Sequence, residues 1–98
     1  MILIRDVFQV KFGRMKEAKS LAKQDIDFQK RSGVSQSRFL TDLTGPYYTL
    51  IMETTYDNLA TYEKTLKETL TSKEFKKWYK KFMPLVESGR REMFTIVE

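Results

Sequence analysis

The chain has 98 residues, with 18 Lys and Arg against 13 Asp and Glu for a formal charge of +5, and it contains no cysteine and no histidine. It therefore has no disulfide, no thiolate metal site, no Ser-His-Asp triad and no histidine to bind haem. We expect one domain over residues 1–98, with no bound metal and no cofactor. A core this small is often supported by oligomerisation.

The N-terminus reaches charged residues after only a few apolar ones, which is too short for the apolar core of a signal peptide. No stretch of the sequence approaches the roughly 20 apolar residues of a membrane span. Together with the lack of cysteine, this predicts a cytoplasmic protein without a membrane partner.

The first quarter of the chain predicts a strand followed by a helix. Residues 2–12 alternate in polarity and are rich in β-branched and aromatic side chains, which indicates a strand. Residues 14–31 place their apolar side chains on one side at helical spacing, and Gly33 is a C-terminal stop signal.

The middle of the chain predicts a β-hairpin. Residues 35–43 alternate in polarity again, and residues 47–56 are rich in Tyr, Thr, Leu and Ile. The short turn at residues 44–46, Thr-Gly-Pro, joins these two strands.

The second half predicts a helical region in two pieces and a closing strand. Residues 57–58 supply an N-cap, and the T-x-x-E pattern that begins at Thr71 indicates a fresh helix start. Pro84 should kink or end the second piece, and Gly89 should stop it. Residues 90–98 then form the last strand.

Five lysines interleave with aromatic residues at helical spacing in this second piece. We interpret them as the solvated face of a helix rather than as a binding surface for anions, because a modest net charge does not define a site. The lysines are Lys73, Lys76, Lys77, Lys80 and Lys81.

The predicted order β-α-β-β-α-β is that of an α+β, ferredoxin-like fold, with a four-stranded antiparallel sheet and both helices on one face. Several strands are nevertheless apolar on both faces. In the first strand Ile4 and Phe8 oppose Leu3 and Val7. An apolar sheet face marks an interaction surface, and a second copy of the sheet is its simplest cover. We therefore expect a homodimer whose sheets face each other as a barrel.

Several segments carry a resemblance to a known family. They are VKFGRMKEA at residues 10–18, Gly-Pro at residues 45–46, SKEFKKW at residues 72–78 and MPLVESGRR at residues 83–91. In order and spacing they resemble the NIPSNAP-like branch of the dimeric α/β-barrel superfamily, to which antibiotic-biosynthesis-type monooxygenases also belong. The resemblance implies a dimer of ferredoxin-like subunits, often with a pocket between helices and sheet.

The chain departs from the family pattern in the first strand. Phe12 stands where the family usually has proline, and the family's arginine has no certain match, because Arg5 lies one place off and Asp6 occupies its position. Haem-degrading members use Asn, Trp and an axial His, and this chain has Trp78 but no His. The superfamily also holds muconolactone isomerases and stress-responsive proteins, so the fold leaves the reaction open.

Asp6 is the most suggestive single residue, because it interrupts an apolar strand face between Ile4 and Phe8. A buried carboxylate must be paired or have its pKa raised. With a raised pKa it could abstract a proton next to a carbonyl or orient a phenolic substrate. The alternative is an aspartate paired with arginine or backbone donors.

Aromatic side chains suggest the walls of a binding pocket. Tyr47, Tyr48 and Trp78 could line a site for a flat ligand, but core packing and dimer contact are the favoured explanation, because aromatic side chains at such spacing usually belong to the core.

Arginines suggest a binding site for an anion. Arg38, Arg90 and Arg91 could bind a carboxylate or another anion, with ion pairing as the alternative. Glu53, in the middle of a strand, is expected to pair with a cross-strand cation.

Two functions remain open from the sequence. The first is a cofactor-independent monooxygenase or isomerase for a hydrophobic carbonyl or aromatic compound, with Asp6 as base or orienter, Tyr48 and Trp78 as walls and Arg38 in the binding site. The second is a non-catalytic homodimer that binds a small molecule or a protein. The third strand lacks the Lys/Arg-Gly-aromatic motif of RNA-binding sheets, which argues against nucleic acid as a partner.

Overall fold

The computed structural model describes residues 1–30, 34 and 36–97. Its elements, in chain order, are β1 (Ile2–Val10), α1 (Met15–Lys30), β2 (Gln36–Thr41), β3 (Thr49–Tyr56), α2 (Leu59–Thr71), α3 (Lys73–Phe82), a 3₁₀ turn (Met83–Leu85) and β4 (Val86–Thr95). The strands form one antiparallel sheet in the order β2-β3-β1-β4. This confirms the predicted ferredoxin-like α+β fold. The predicted stop at Gly33 and the strand ends at Ser35 and Glu98 lie outside the described residues.

The three helices pack on one face of the sheet. Alternate residues of β1 and β3, among them Val10, Leu50 and Met52, meet apolar side chains of α1 and α3 in one cluster. Further along the same face, Ile4 and Tyr56 meet Tyr62 of α2 in a second cluster. We call this side of the sheet the helix face and the opposite side the outer face. No helix in the described parts of the chain is long and apolar enough to cross a lipid bilayer.

The helical region is divided into two helices, as predicted, but the cap of the second helix lies one residue later than expected. The Asn58 side chain accepts from the Thr61 N–H at 2.9 Å and caps α2, as expected. Ser72 rather than Thr71 caps α3, since its hydroxyl accepts from the Phe75 N–H at 3.0 Å. The Thr71 hydroxyl instead donates to the Lys67 carbonyl one turn back, at 3.1 Å. The lysines of α3 are exposed, as the solvated-face interpretation predicted.

The prediction that Gly89 ends a helix is wrong. Helix α3 ends at Phe82 and Pro84 lies in the 3₁₀ turn, so proline has already ended the helix. Strand β4 begins at Val86 and contains Gly89, which pairs with Phe8 of β1. A Cβ at position 89 would lie 2.8 Å from Cδ1 of Phe8. Glycine is therefore required there because the Phe8 ring lies across the strand.

Candidate functional site

A cavity of about 640 Å³ lies between the helix face of the sheet and helices α2 and α3, and we call it the large cavity. Its volume is in the range of small-molecule sites. Ile4 and Phe8 of β1 and Met52 of β3 form part of its apolar lining. The two core clusters lie on this same face of the sheet. The large cavity lies where the helices leave part of that face uncovered.

Asp6, Arg91 and Tyr62 form a hydrogen-bonded network in the large cavity. Strand register sets Asp6 opposite Arg91 on the helix face. The Arg91 Nε donates to Asp6 Oδ1 at 2.7 Å, and its Nη1 donates to the Tyr62 hydroxyl at 2.8 Å. These bonds use two of the five N–H donors of a guanidinium. The structure therefore pairs Asp6 with an arginine, which was the alternative interpretation of the sequence.

Arg91 and its partner Tyr62 are both protonated at neutral pH. Burial alone would lower the pKa of Arg91, but the hydrogen bond and charge of Asp6, with a smaller effect of Tyr62, raise it above its ordinary value. Burial raises the pKa of Tyr62, against the opposing charge of Arg91. The site thus presents a cation and a neutral phenol side by side.

Asp25 of α1 also lines the large cavity, and the sequence analysis did not identify it. The residue is 7% exposed. Burial, and then repulsion from Asp6, raise its pKa to about 6. The signal was present in the sequence, because Asp25 falls at helical spacing among Ala18, Leu21 and Ala22, which form the buried side of α1.

Trp78 lies in the lining of the large cavity. Its ring stacks on Phe82 at 4.7 Å between centroids and on Phe75 at 6.0 Å. Its Nε1 donates to the Leu21 carbonyl at 2.7 Å, which ties α3 to α1. The ring is thus held in a fixed orientation beside the cavity.

Tyr48 and Arg38 lie outside the large cavity. Tyr48 packs at the edge of the first core cluster, with its ring 5.4 Å from that of Phe12. Arg38 lies on the outer face, where its Nε is 2.8 Å from Glu53 Oε1. Since the sheet separates Arg38 from the cavity, a ligand bound there would contact Asp6 and Trp78 but not Arg38. Tyr47 is largely exposed.

Charged side chains cross the outer face from strand to strand. The order is Arg38, Glu53, Arg5, Glu92 and Arg90, and we call this row the charge band. Glu53 thereby pairs with cross-strand cations, as predicted. The Arg5 Nε lies 3.1 Å from Glu53 Oε2 without the angle of a hydrogen bond. Within the described residues, no three acidic side chains converge closely enough to hold a metal ion.

The backbone resembles that of solved structures over almost its whole length. A NIPSNAP family protein from Agrobacterium tumefaciens superposes with a TM-score of 0.87 at 15% identity, covering 99% of this chain and 86% of that one. A Nitrosomonas europaea protein assigned provisionally as an antibiotic biosynthesis monooxygenase gives 0.82 at 11% identity, with 100% of both chains covered. SnoaB, a cofactor-independent oxygenase from Streptomyces nogalater, gives 0.79 at 14% identity, covering 99% and 93%.

At these identities the structural likeness shows a shared fold. Curated protein sequences include no match to this chain. The NIPSNAP family model matches residues 4–98. Because that match spans nearly the whole sequence, the chain belongs to the NIPSNAP family.

Proposed function

We propose that the chain is a cofactor-independent monooxygenase that binds a flat, hydrophobic compound with an enolisable ketone in the large cavity. The observation that carries this proposal is the Arg91 guanidinium, held by Asp6 and Tyr62 within an aromatic-walled cavity. The fold shared with SnoaB, a cofactor-independent oxygenase, supports the choice of reaction. We also propose that the protein is cytoplasmic, as the sequence predicts.

The reaction oxidises a CH₂ group that is conjugated with a ketone carbonyl through an aromatic ring. Loss of one proton leaves an electron pair on the substrate as an enolate, which reduces dioxygen and forms a C–O bond. The resulting peroxide anion takes up a proton and becomes a hydroperoxide, which loses the second C–H proton and breaks its O–O bond, and hydroxide leaves. One oxygen atom remains in the new C=O group, and the other leaves as water after hydroxide takes up a proton.

Each residue of the network has a role in stabilising the enolate. The remaining N–H donors of Arg91 and the Tyr62 hydroxyl are placed to bind the enolate oxygen, whose charge develops during the reaction. Asp6 acts as the orienter of Arg91, because its carboxylate accepts the Nε hydrogen bond. Trp78, together with Phe75 and Phe82, forms an aromatic wall that a flat substrate contacts.

Oxygen uptake with a tricyclic hydroxyanthrone tests this function. The corresponding quinone is detected by its visible absorbance, without added metal or cofactor. We expect Arg91→Gln to lower kcat/KM about 100-fold, the usual loss for a charged donor at a developing oxyanion. Asp6→Asn should cause a smaller loss, because it removes only the carboxylate that orients Arg91.

Arg14→Gln is the control, since Arg14 is exposed, pairs with Glu17 in the first turn of α1 and lines neither cavity. Turnover by Arg91→Gln at the wild-type rate would remove the network from the mechanism. Tight binding of the quinone by the wild type without oxygen uptake would instead support a non-catalytic protein that binds small molecules.

We further propose that the working unit is a homodimer joined through the outer face. Within the described residues no helix covers this face, and apolar side chains flank the charge band on both sides. They are Leu3, Val7, Leu40, Ile51 and Phe94. The band alternates in sign, so a two-fold axis that passes between two neighbouring members of the band places unlike charges opposite each other.

A further inference from the structure

A second cavity, of about 400 Å³, lies between α1 and α3, and we call it the small cavity. Three side chains line both cavities, namely Asp25, Phe75 and Trp78. They form the wall between the two spaces. The lining of the small cavity is otherwise polar and includes exposed side chains of both helices, so this space is accessible to water.

We propose that Asp25 is the general base of the reaction and that the small cavity connects its carboxyl group to solvent protons. This inference rests on the proposed function of the large cavity. Arg91 holds Asp6 in place on β1, and Asp25 reaches the large cavity from α1. A general base also needs a route by which its proton reaches solvent, and the small cavity supplies one beside Asp25.

The proton transfer balances with the oxidation described above. An oxygen of the Asp25 carboxylate forms a bond to the substrate proton as the C–H bond breaks, and the electron pair stays on the substrate as an enolate. Asp25 then loses this proton to water in the small cavity. An equivalent proton taken up from solvent converts the departing hydroxide to water, so the carboxylate is restored after each turnover.

The groups around Asp25 favour titration in the working range. In the large cavity it faces Asp6, Tyr56, Tyr62, Glu87 and Arg91, whereas the Arg90 side chain lies on the outer face. In the small cavity it faces Asp27, Glu74, Lys77 and Lys81. Burial has the larger effect and the charge of Asp6 the smaller one, and together they raise the pKa of Asp25 to about 6. A carboxyl group with this pKa can both accept and release a proton near neutral pH.

Hydrogen–deuterium exchange without oxygen isolates this step. The hydroxyanthrone is incubated with the protein in D₂O under argon, and deuterium at the CH₂ group is measured by NMR. The wild type should accelerate exchange, with a rate that rises with pH to a plateau and a midpoint near pH 6. Asp25→Asn should lower the rate at least 100-fold and remove the pH step.

Three comparisons decide between the proposals. Glu17→Gln, which removes an exposed carboxylate of the same helix outside both cavities, should exchange like the wild type. Calorimetry should show that Asp25→Asn still binds the quinone with unchanged Kd, whereas Arg91→Gln binds it more weakly. Binding by the variant also shows that it is folded.

Exchange by Asp25→Asn at the wild-type rate would overturn the role of Asp25 while leaving the proposed function intact. Exchange without oxygen uptake would retain Asp25 as base but replace the monooxygenase by an isomerase. A wild type that neither binds the quinone nor exchanges the substrate would overturn both proposals.

Discussion

A carboxyl group on the buried side of a helix is stabilised in its protonated form, and Asp25 is such a group. Its folded pKa, about 6, lies above the ordinary value of 3.8. Below pH 4 the group is protonated in both folded and unfolded chains and adds no penalty. As the pH rises from 4 to 6, Asp25 ionises freely in the unfolded chain, whereas burial opposes its ionisation in the folded chain. The free energy of unfolding therefore falls over this range and then levels off.

We therefore expect Asp25→Asn to raise the free energy of unfolding at pH 7.5 by about 1–3 kcal/mol, since one pKa unit corresponds to 1.36 kcal/mol. The gain should nearly disappear at pH 3, well below the ordinary pKa of 3.8. Urea denaturation at both pH values, with Asp27→Asn as control, measures the difference. A gain that is equal at both pH values would mean that protonation of Asp25 is not its cause.

Gly89 leads to a second prediction at the scale of a residue. Its missing side chain leaves room for the Phe8 ring, which also contacts the edge of Phe82 at 4.9 Å. Gly89→Ala should destabilise the fold by about 1–3 kcal/mol, as overpacking usually does. Ser88→Ala, next to it and exposed, is the control in denaturant unfolding. If Gly89→Ala unfolds at the wild-type denaturant concentration, the Phe8 ring moves aside freely.

The sequence identified a residue of the site only where the strand pattern made that residue stand out. Asp6 was identified because it breaks an apolar alternation, and the structure places it in the large cavity. Arg91 became its partner only through the register of β1 and β4. Asp25 was missed because a helix face was interpreted from its apolar members, and Arg38 lies on the side of the sheet away from the cavity.

At the scale of elements, Ser72 and Thr71 at the junction of α2 and α3 are the two candidates for the N-cap of α3. Ser72→Ala removes the side chain that accepts from the Phe75 N–H and should cost about 1 kcal/mol. Thr71→Ala removes only a hydroxyl that donates to carbonyls of the preceding turn, so its cost should be smaller. Denaturant unfolding of both variants compares them, and a larger loss for Thr71→Ala would place the cap at Thr71.

The order of the elements followed from hydrophobic period alone, because strands and helices of this chain keep their periods over many residues. Boundaries were less predictable. Two stop signals lay close together, and Pro84 ended the helix before Gly89 could. The extended run from Val86 was hidden because its alternation is interrupted by charged residues of the charge band and by a glycine. These boundaries depend on packing against β1.

At the scale of the whole molecule, adjacent residues of β4 distinguish the two faces of the sheet. Phe94 lies on the outer face beside Leu3, and Met93 lies on the helix face beside Ile4. They are almost equally exposed, at 48% and 47%. Phe94→Glu should therefore dissociate the proposed dimer, because two charges would enter an apolar contact, whereas Met93→Glu should not.

Light scattering at micromolar concentration measures this difference. The wild type and Met93→Glu should give twice the chain mass of 11.7 kDa, and Phe94→Glu the single mass. A wild type that remains at the single mass would show that the outer face does not join two copies under these conditions.

Trp78 is the chain's single tryptophan, and its ring belongs to the wall between the large and small cavities. Indole emission depends on the polarity and the ring contacts around it. A molecule that enters either cavity therefore changes the fluorescence of this one group, with no background from other tryptophans. The protein thus carries its own reporter for unlabelled screening, and compounds can be ranked by affinity before any reaction is known.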